Sequence, residues 1–437
     1  MSVNNPNQKY ERYKKIGEDW LDAVPEHWEF RRVKTFLRLV AEPAPKNNDF
    51  ELLSVYTDIG VRPRKELEEK GNKASTTDGY WLVQEGDFIV NKLLAWMGAV
   101  GISNYSGVTS PAYDILRPRE NIAGNFYHYM FRMNTFSAVM KKSSRGIMDM
   151  RLRLYFDKFG DIRVPFPPYK EQLEIAKFLD QKAEQIDEAI AIKEKQIALL
   201  KERKQIIIQQ AITQGLDHSV SIKESGVDWI GQIPEHWKVE KLFGLCRFVR
   251  GNSNFSKDEL LSRGQYVALQ YGKTYKVNEI DERFDFYVGE EFYKESQVVN
   301  FGDVIFISTS ETMEDLGHSA IYNREEVGLL GGEQILIKPN SDLLDNFYTY
   351  YSTSVFSKEL RKYATGIKVF RFNINDLKTI YLAIPPLEEQ RIIVQHISVQ
   401  SKKIDQAVLL QESLIEKLKE YKTTLINNAV TGKIKVA

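Results

Sequence analysis

Two nine-residue stretches decide how this chain is organised: WLDAVPEHW at residues 20–28 and WIGQIPEHW at residues 229–237. Further matches follow in the same order along the two halves: GDFIV (86–90) with GDVIF (302–306), Arg145-Gly146-Ile147 with Thr365-Gly366-Ile367, and PPYKEQ (167–172) with PPLEEQ (385–390). The spacing between these partners varies only from 209 to 220 residues. Collinear matches of this kind predict a tandem duplication, with insertions confined to the segments between the motifs.

The overall composition narrows the class of protein. A chain of 437 residues is too long for one hydrophobic core, so two or three domains are expected. The formal net charge is zero, which argues against binding nucleic acid through bulk basicity but leaves local basic surfaces open. Cys246 is the only cysteine, which excludes intrachain disulfides and thiolate zinc sites. The N-terminus is polar and no stretch approaches the roughly 20 apolar residues of a membrane span, so we expect a cytoplasmic protein without a membrane partner.

Each half closes with a Pro-Pro pair followed by a long segment without glycine or proline. Proline suits a helix N-terminus, where its missing N–H would be unpaired anyway. At ~1.5 Å per residue, a helix of ~45 residues extends roughly 68 Å. Apolar residues at heptad positions a and d predict a coiled-coil seam formed by Leu179, Ile186, Ile190, Ile197, Leu200, Ile207, Ile397, Ile404, Val408, Ile415, Leu418 and Leu425.

Such helices could either dimerise two chains or pair within one chain. Because both are present in the same chain, we favour intramolecular antiparallel pairing. The expected architecture is α+β: two globular mixed α/β domains in tandem, separated by an antiparallel coiled coil, with pseudo-two-fold symmetry. The predicted segments are a first globular domain at 14–165, a first helix at 168–215, a second globular domain at 223–384 and a second helix at 386–432.

Short apolar runs between turn residues predict strands in both globular domains. Two amphipathic segments, 124–142 and 345–363, are predicted to be helices packed on a sheet, with their aromatic residues in the core. The predicted strands are 52–56, 80–83, 87–91, 98–102 and 112–116 in the first half, and 265–269, 303–307, 318–322 and 333–338 in the second.

The sequence contains no complete catalytic motif of the kinds considered below. Gly272-Lys273-Thr274 resembles the end of a P-loop, but residue 267 is valine, so the phosphate-binding loop is absent. The six histidines show no metal-ligand spacing, and we interpret His27 and His236 as structural. FPPY at 166–169 approaches an amino-methyltransferase motif, but Phe166 cannot accept the hydrogen bond that the motif requires. No nuclease-like carboxylate cluster was found either.

Basic residues concentrate ahead of each long helix, in KKSSRGIMDMRLR (141–153) and RKYATGIKVFRFNINDLK (361–378). Either segment alone would more often be a solvated loop, but two copies at matching positions favour contact with DNA phosphates and base edges. Loops after the first strands and after the GDFIV/GDVIF strands are further candidates. The predicted DNA-binding residues are Tyr56, Arg62, Arg64, Lys92, Trp96, Arg145, Arg151, Arg153, Gln270, Tyr271, Lys273, Ser310, Lys368, Arg371 and Asn373.

This arrangement resembles the specificity (S) subunit of type I restriction–modification systems. The resemblance rests on W-x-x-x-x-P-E-H-W opening each half and P-P-x-x-E-Q opening each helix, and it spans about residues 14–432. It implies two target recognition domains, each reading one half of a bipartite double-stranded DNA site. It also implies that the helices set the spacing and dock two methyltransferase (M) subunits, and through these the restriction (R) subunits.

The resemblance further implies a non-catalytic chain without a cofactor of its own, S-adenosylmethionine being bound by the methyltransferase partner. Two other readings of the sequence stay open at this point. One is a self-sufficient DNA methyltransferase or nuclease, which the missing motifs disfavour. The other is a coiled-coil scaffold that does not bind DNA. The DNA target sequence does not follow from the residues, because direct readout depends on loop geometry.

Overall fold

The computed structural model describes residues 8–66, 77–147, 151–253 and 255–436. The chain forms two compact units, one of Met1–Glu194 with Ser413–Ala437 and the other of Lys195–Glu412. Each long helix therefore contributes residues to both units. No described helix joins the length and the apolar composition that crossing a bilayer requires.

The first unit contains short strands, four short helices and the start of the first long helix. Its strands are β1 (Tyr13–Glu18), β2 (Leu21–Pro25), β3 (Glu29–Arg32), β4 (Leu37–Val40), β5 (Leu53–Tyr56), β6 (Gly60–Pro63), β7 (Trp81–Val83), β8 (Phe88–Asn91), β9 (Val100–Ile102), β10 (Gly107–Thr109), β11 (Tyr113–Pro118) and β12 (Arg163–Phe166). Its helices are α1 (Val33–Phe36), α2 (Gly124–Arg132), α3 (Asn134–Ser143), α4 (Phe156–Phe159) and the long α5 (Tyr169–Gln214).

The second unit contains more strands and the start of the second long helix. Its strands are β13 (Ile222–Glu224), β14 (Gln232–Pro234), β15 (Lys238–Lys241), β16 (Cys246–Arg250), β17 (Tyr266–Leu269), β18 (Glu279–Ile280), β19 (Tyr287–Val288), β20 (Val298–Val299), β21 (Val304–Ile307), β22 (Thr309–Ser310), β23 (Ser319–Tyr322), β24 (Gly328–Leu330), β25 (Gln334–Pro339), β26 (Phe370–Arg371) and β27 (Tyr381–Ile384). Its helices are α6 (Leu242–Leu245), α7 (Tyr271–Thr274), α8 (Asn346–Leu360), α9 (Ile374–Leu377) and the long α10 (Leu387–Val430).

The two units repeat the same strand pairings. The pair β1–β2 has its counterpart in β13–β14, and β3–β12 in β15–β27. The central sheet has the order β4-β11-β8-β9 in the first unit and β16-β25-β21-β23-β18 in the second. The units differ in a further four-stranded sheet, β19-β17-β24-β20, which the second unit forms beside its central sheet. The duplication read from the sequence is therefore a duplication of fold, and the length differences fall around the peripheral strands.

Each strand predicted from the sequence corresponds to a strand of the structure within about two residues at each end. The single helix predicted at 124–142 was wrong, because α2 and α3 are separated at Met133. This residue has an extended backbone (φ −73°, ψ 146°) and its side chain is buried. The limits predicted for the four domain segments stay predictions.

The long helices pack against each other as antiparallel neighbours inside each unit. In the first unit Ile186 of α5 joins the core cluster that contains Leu425 and Ala429 of α10. In the second unit Ile208 of α5 lies in one cluster with Ile393 and Ile397 of α10. The predicted seam residues are all buried or half-buried. The chain thus contains two globular parts joined by coiled-coil helices.

One ion pair between the helices occurs twice, at positions related by the repeat. Lys204 Nζ of α5 lies 2.7 Å from Asp405 of α10 in the second unit, and Lys422 Nζ of α10 lies 2.7 Å from Asp187 of α5 in the first. These pairs are partly exposed, so each contributes only about 0.2–1 kcal/mol. Their main effect is on register, because each lysine reaches its aspartate in only one alignment of the helices.

The PEHW motifs contact the glutamates that begin the long helices. His27 Nε2 lies 2.9 Å from a carboxylate oxygen of Glu171, and His236 Nε2 lies 2.8 Å from Glu389. The indole N–H of Trp237 also donates to Glu389 at 3.0 Å. In the first unit this additional donor is the hydroxyl of Tyr10. The PEHW and PPxxEQ motifs therefore contact each other and join each globular part to the helix that follows it.

The end of the other long helix meets the same motif within each unit. Gly215, just beyond α5, has φ +73°, and a Cβ placed there would lie 3.1 Å from the ring of Trp237. Gly432, just beyond α10, has φ +74°, and its Cβ would lie 3.0 Å from the ring of Trp28. The left-handed backbone favours glycine at both positions, and a side chain there would also crowd the neighbouring tryptophan.

The glutamine of each PPxxEQ motif is fully buried and hydrogen-bonds to two segments of backbone. The Gln390 amide oxygen accepts from the Asp345 N–H at 2.8 Å, and its NH₂ group donates to the carbonyls of Leu343 and Pro385 at 2.9 Å. Gln172 accepts from the Ala123 N–H at 2.9 Å and donates to the Pro167 carbonyl at 2.8 Å. Each long helix is thereby fastened to the loop that precedes α2 or α8.

We expect Gln390→Ala to lower the free energy of unfolding by about 2–4 kcal/mol, because it leaves several buried backbone groups without partners. Urea denaturation followed by tryptophan fluorescence measures the change. Gln395→Ala, at an exposed position of the same helix, is the matched control and should shift stability by no more than about 0.5 kcal/mol. Equal effects of the two variants would contradict the bridging role.

Candidate nucleic-acid interface

In the first unit, backbone hydrogen bonds gather the loops that carry predicted DNA-binding residues. The Leu154 N–H donates to the Lys92 carbonyl at 2.8 Å, which joins the loop after β8 to the basic segment 141–153. An antiparallel bridge between Arg145 and Arg153 closes that segment into a loop. The basic loop and the loop after β8 are therefore joined by a hydrogen bond where they leave the globular part.

Arg132 of α2 connects a third loop of this unit, the turn after β5, to the loop after β8. Its guanidinium group donates to the carbonyls of Tyr56 and Thr57 at 3.2 and 2.9 Å, and to those of Gly98 and Val100 at 2.9 and 3.3 Å. The first two carbonyls belong to the turn after β5, and the other two to the segment that enters β9. Arg132 was missed in the sequence analysis, because no pattern within its own helix indicates these acceptors on other loops.

The second unit also joins its basic loop to the neighbouring loop through a backbone hydrogen bond, with different residues. The Phe372 N–H donates to the Ser308 carbonyl at 3.1 Å, where the first unit has Leu154 and Lys92. Strand β22 pairs with β26, so that Thr309 lies opposite Arg371. The Tyr271 hydroxyl donates to the Thr309 carbonyl at 3.0 Å, which brings the loop after β17 to the same edge. In both units, three loops that are distant in sequence form one surface.

Four arginine and lysine side chains remain exposed on these surfaces without an ion pair among the described residues: Arg151 and Arg153 in the first unit, and Lys368 and Arg371 in the second. Cations that are not neutralised by the protein itself are available to DNA phosphates or to guanine edges. The described residues hold no cluster of histidine, cysteine and acidic side chains arranged to bind a metal ion.

Comparison with known proteins assigns the family. Residues 25–202 and 234–419 each match the model of the type I restriction modification DNA specificity domain. The chain belongs to this family. A Methanocaldococcus jannaschii protein assigned as the MjaX type I restriction enzyme specificity subunit is 27% identical, over 98% of both chains. The MjaVIII specificity subunit of the same organism is 23% identical, over 94% of both chains.

Solved structures support the same fold. A chain from a structure concerned with complex assembly and conformational transition of the type I R-M system has a TM-score of 0.72 at 16% identity, covering 94% of this chain and 99% of that one. The HsdS subunit of Thermoanaerobacter tengcongensis has a TM-score of 0.53 at 16% identity, covering 94% and 98%. Specificity subunits are the non-catalytic, DNA-recognition components of type I restriction–modification systems, so the chain is not an enzyme.

Four of the residues predicted to bind DNA also have partners within the protein, and their binding to DNA stays a prediction. Lys92 bonds Asp114 at 3.2 Å with only 20% of its side chain exposed. Ser310 is buried, and its hydroxyl accepts from the Thr312 N–H. Arg145 pairs with Asp157 at 2.8 Å. Asn373 caps α9, so the amide oxygen that a bidentate contact to adenine needs is already bonded to backbone N–H groups.

The other predicted residues lie on or beside the surface and are half-buried: Tyr56, Arg62, Arg64, Trp96, Gln270, Tyr271 and Lys273. The Lys141 ammonium group lies 4.8 Å from the centre of the Trp96 ring, and Lys273 lies 4.3 Å from the ring of Phe286. The Tyr271 ring stacks on Tyr275. Their binding to DNA stays a prediction. Met148, Asp149 and Met150 of the first basic segment lie outside the described residues.

The sequence analysis also missed exposed apolar side chains on these loops. In the first unit these are Leu93, Leu94, Met97, Ile147 and Tyr155, and in the second Ile367 and Tyr363. Hydropathy patterns assign such residues to a core, so a single sequence does not distinguish an exposed isoleucine from a buried one.

His128 lies beneath the first unit's surface as a buried, uncharged imidazole. Burial, together with the positive charges of Arg132 and Arg62, lowers its pKa to about 3. The ring packs against Gly60 and Gly101, where a Cβ would come within 2.8 and 2.9 Å of it. The neutral imidazole of His128 therefore fills the space between Gly60 and Gly101, beside the two loops to which Arg132 is hydrogen-bonded.

We expect the protein to lose stability as the pH falls from 7 to 5. The unfolded chain protonates His128 near its ordinary pKa of about 6.5, whereas the folded chain does not, so the stabilisation is complete above that pH and declines towards pH 3. The loss should reach about 2 kcal/mol at pH 5. Urea unfolding at both pH values measures it, and His128→Phe should have a flatter pH dependence. His218→Asn, at an exposed position, should retain the wild-type slope; a wild-type slope in His128→Phe would contradict the assignment.

Proposed function

We propose that each globular part is a target recognition domain that reads one half of a bipartite double-stranded DNA site. One observation carries the proposal: both units form a loop surface in which the same backbone hydrogen bond joins two loops. The bond runs from Leu154 to Lys92 in the first unit and from Phe372 to Ser308 in the second. A shared scaffold with different side chains on its loops suits two DNA sequences read in the same manner. The exposed cations on each surface provide contacts to phosphate and base edges.

We further propose that the paired helices set the distance between the half-sites. The repeated Lys204–Asp405 and Lys422–Asp187 ion pairs favour one alignment of the helices. A rigid separator of fixed register would admit only half-sites at a matching spacing, because the DNA duplex is itself stiff on this length scale.

The outer faces of the helices are proposed to dock two methyltransferase subunits, which bring S-adenosylmethionine and through which the restriction subunits join. Large apolar side chains that are exposed on a monomer often mark contacts with a partner. The side chains concerned are Leu173, Ile192 and Tyr421 in the first unit, and Leu199, Ile206, Leu409 and Leu410 in the second. This assembly would act on chromosomal DNA in the cytoplasm.

Removing seven residues from each helix tests the spacing proposal. The deletions lie between Asp187 and Lys204 in α5 and between Asp405 and Lys422 in α10, so that all four charged residues are kept. One heptad shortens a helix by about 10.5 Å, or about 3 base pairs of duplex at 3.4 Å each. The complex with methyltransferase subunits should then modify sites whose half-sites are about 3 base pairs closer, as read by mapping methylated adenines.

Two controls make this result interpretable. A seven-residue insertion at the same places should lengthen the accepted gap by the same amount. Deletion from α5 alone destroys the register and should abolish modification. Methylation at the wild-type spacing by the doubly shortened protein would refute the ruler role. Binding with no bipartite preference, by wild-type protein together with its methyltransferase partner, would refute the proposed function as a whole and favour a scaffold.

A further inference from the structure

Two isoleucines at matching positions in the repeat are almost completely exposed. Ile147 is 101% exposed and Ile367 is 96% exposed, whereas the next most exposed large apolar side chain of the described residues, Leu409, reaches 65%. Single exposed apolar residues are common on protein surfaces and need no explanation. These two differ because the same residue type protrudes at the same place in both halves, although the neighbouring residues have diverged.

The two ends of each loop that carries an isoleucine are joined by backbone hydrogen bonds. Backbone bridges join Arg145 to Arg153 and Thr365 to Arg371. The next residue in each loop, Leu154 or Phe372, is buried and hydrogen-bonded to the neighbouring loop. Each isoleucine therefore lies on a loop whose two ends are joined.

A glycine precedes each isoleucine and lets the chain fold back tightly. Gly146 has φ +150°, and a Cβ there would lie 2.6 Å from the Arg151 carbonyl oxygen. Gly366 has φ +122°, and its Cβ would overlap the Val369 carbonyl oxygen. An L-residue with a side chain fits neither place. The turn that directs the isoleucine outward is thus built into the loop in both halves.

Cations flank each protruding isoleucine. Arg151 and Arg153 belong to the loop of Ile147, and Lys368 and Arg371 to the loop of Ile367; all four are exposed. An exposed apolar side chain on a loop that also carries exposed cations matches the chemistry of a DNA groove, where phosphates line the rims and base pairs lie at the floor. Architectural DNA-binding proteins insert isoleucine, leucine or phenylalanine between base pairs in this way and kink the duplex.

We propose that Ile147 and Ile367 are wedges that insert between adjacent base pairs, one in each half-site, while the neighbouring cations hold the phosphates. The inference rests on the proposed function, since it requires each loop to face a half-site. It adds a form of recognition that needs no hydrogen bond to a base. Pyrimidine–purine steps unstack most readily, so the insertion favours such a step at a fixed position in each half-site.

The test uses the complex with its methyltransferase subunits and a duplex that contains the target found by mapping methylated adenines. 2-Aminopurine is placed in turn at positions of each half-site other than the methylated adenine, because the methyltransferase extrudes that base itself. Wild-type protein should raise the fluorescence at one step in each half-site. Ile147→Ala should abolish the signal in one half-site only, and Ile367→Ala in the other.

Affinity measured over a range of salt concentrations separates the wedge from the cations. Each Ile→Ala variant should weaken binding roughly 10-fold and leave the dependence of log K on log salt unchanged, because no phosphate contact is lost. Arg151→Gln should reduce that slope by about 1. Ile147→Met and Ile367→Met should restore the fluorescence signal, since methionine also supplies a long apolar side chain. Ile222→Ala, at a 59% exposed position of β13, should behave as wild type.

Three results would overturn the wedge. If Ile147→Ala and Ile367→Ala keep the 2-aminopurine signals, the isoleucines do not unstack the bases, and the proposed function stands without them. If the variants lose methyltransferase subunits instead, on analytical ultracentrifugation, the loops contact a protein partner. If the wild-type complex binds no bipartite site, the proposed function and the wedge fail together.

Discussion

The contact between each PEHW motif and the start of the following long helix is the constraint on which the rest of the structure depends. His27 and His236 reach Glu171 and Glu389, and the next residue, a glutamine, is buried and bridges to backbone. A buried amide left without partners is costly, so this junction holds one geometry and not a range of them. A flexible junction would give each globular part many orientations relative to its helix, and a recognition surface with many orientations has no defined partner.

The frame and the recognition surfaces follow different physical rules, which explains what could be predicted from the sequence. The heptads of α5 and α10, the Pro-Pro starts and the duplicated strands such as β8 and β21 are local patterns with a fixed period. Their structural counterparts lie where the patterns place them. The break at Met133 was not predicted, because the side chains on either side of it continue an amphipathic pattern.

The candidate surface was harder to predict because its members are brought together by tertiary contacts. Lys92 looked available in the sequence, but Asp114, which pairs with it, comes from a neighbouring strand. The sequence suggests that Asn373 reads a base, and in the structure its side chain caps α9. Arg132 bonds carbonyls of two loops, and no pattern within its own helix indicates those acceptors. The composition of the loops was informative, whereas the availability of each side chain depended on distant residues.

We propose that the two globular parts recognise DNA independently of each other on one duplicated fold. Replacing residues 238–384 by residues 29–166 exchanges the second globular part for a copy of the first, between the PEHW motif and the Pro-Pro pair, where paired strands close the block in both units. Methylated adenines are then mapped in cells that express this chain with its methyltransferase partner. The account predicts sites made of two copies of the first half-site at the original spacing. Retention of the original second half-site would contradict it.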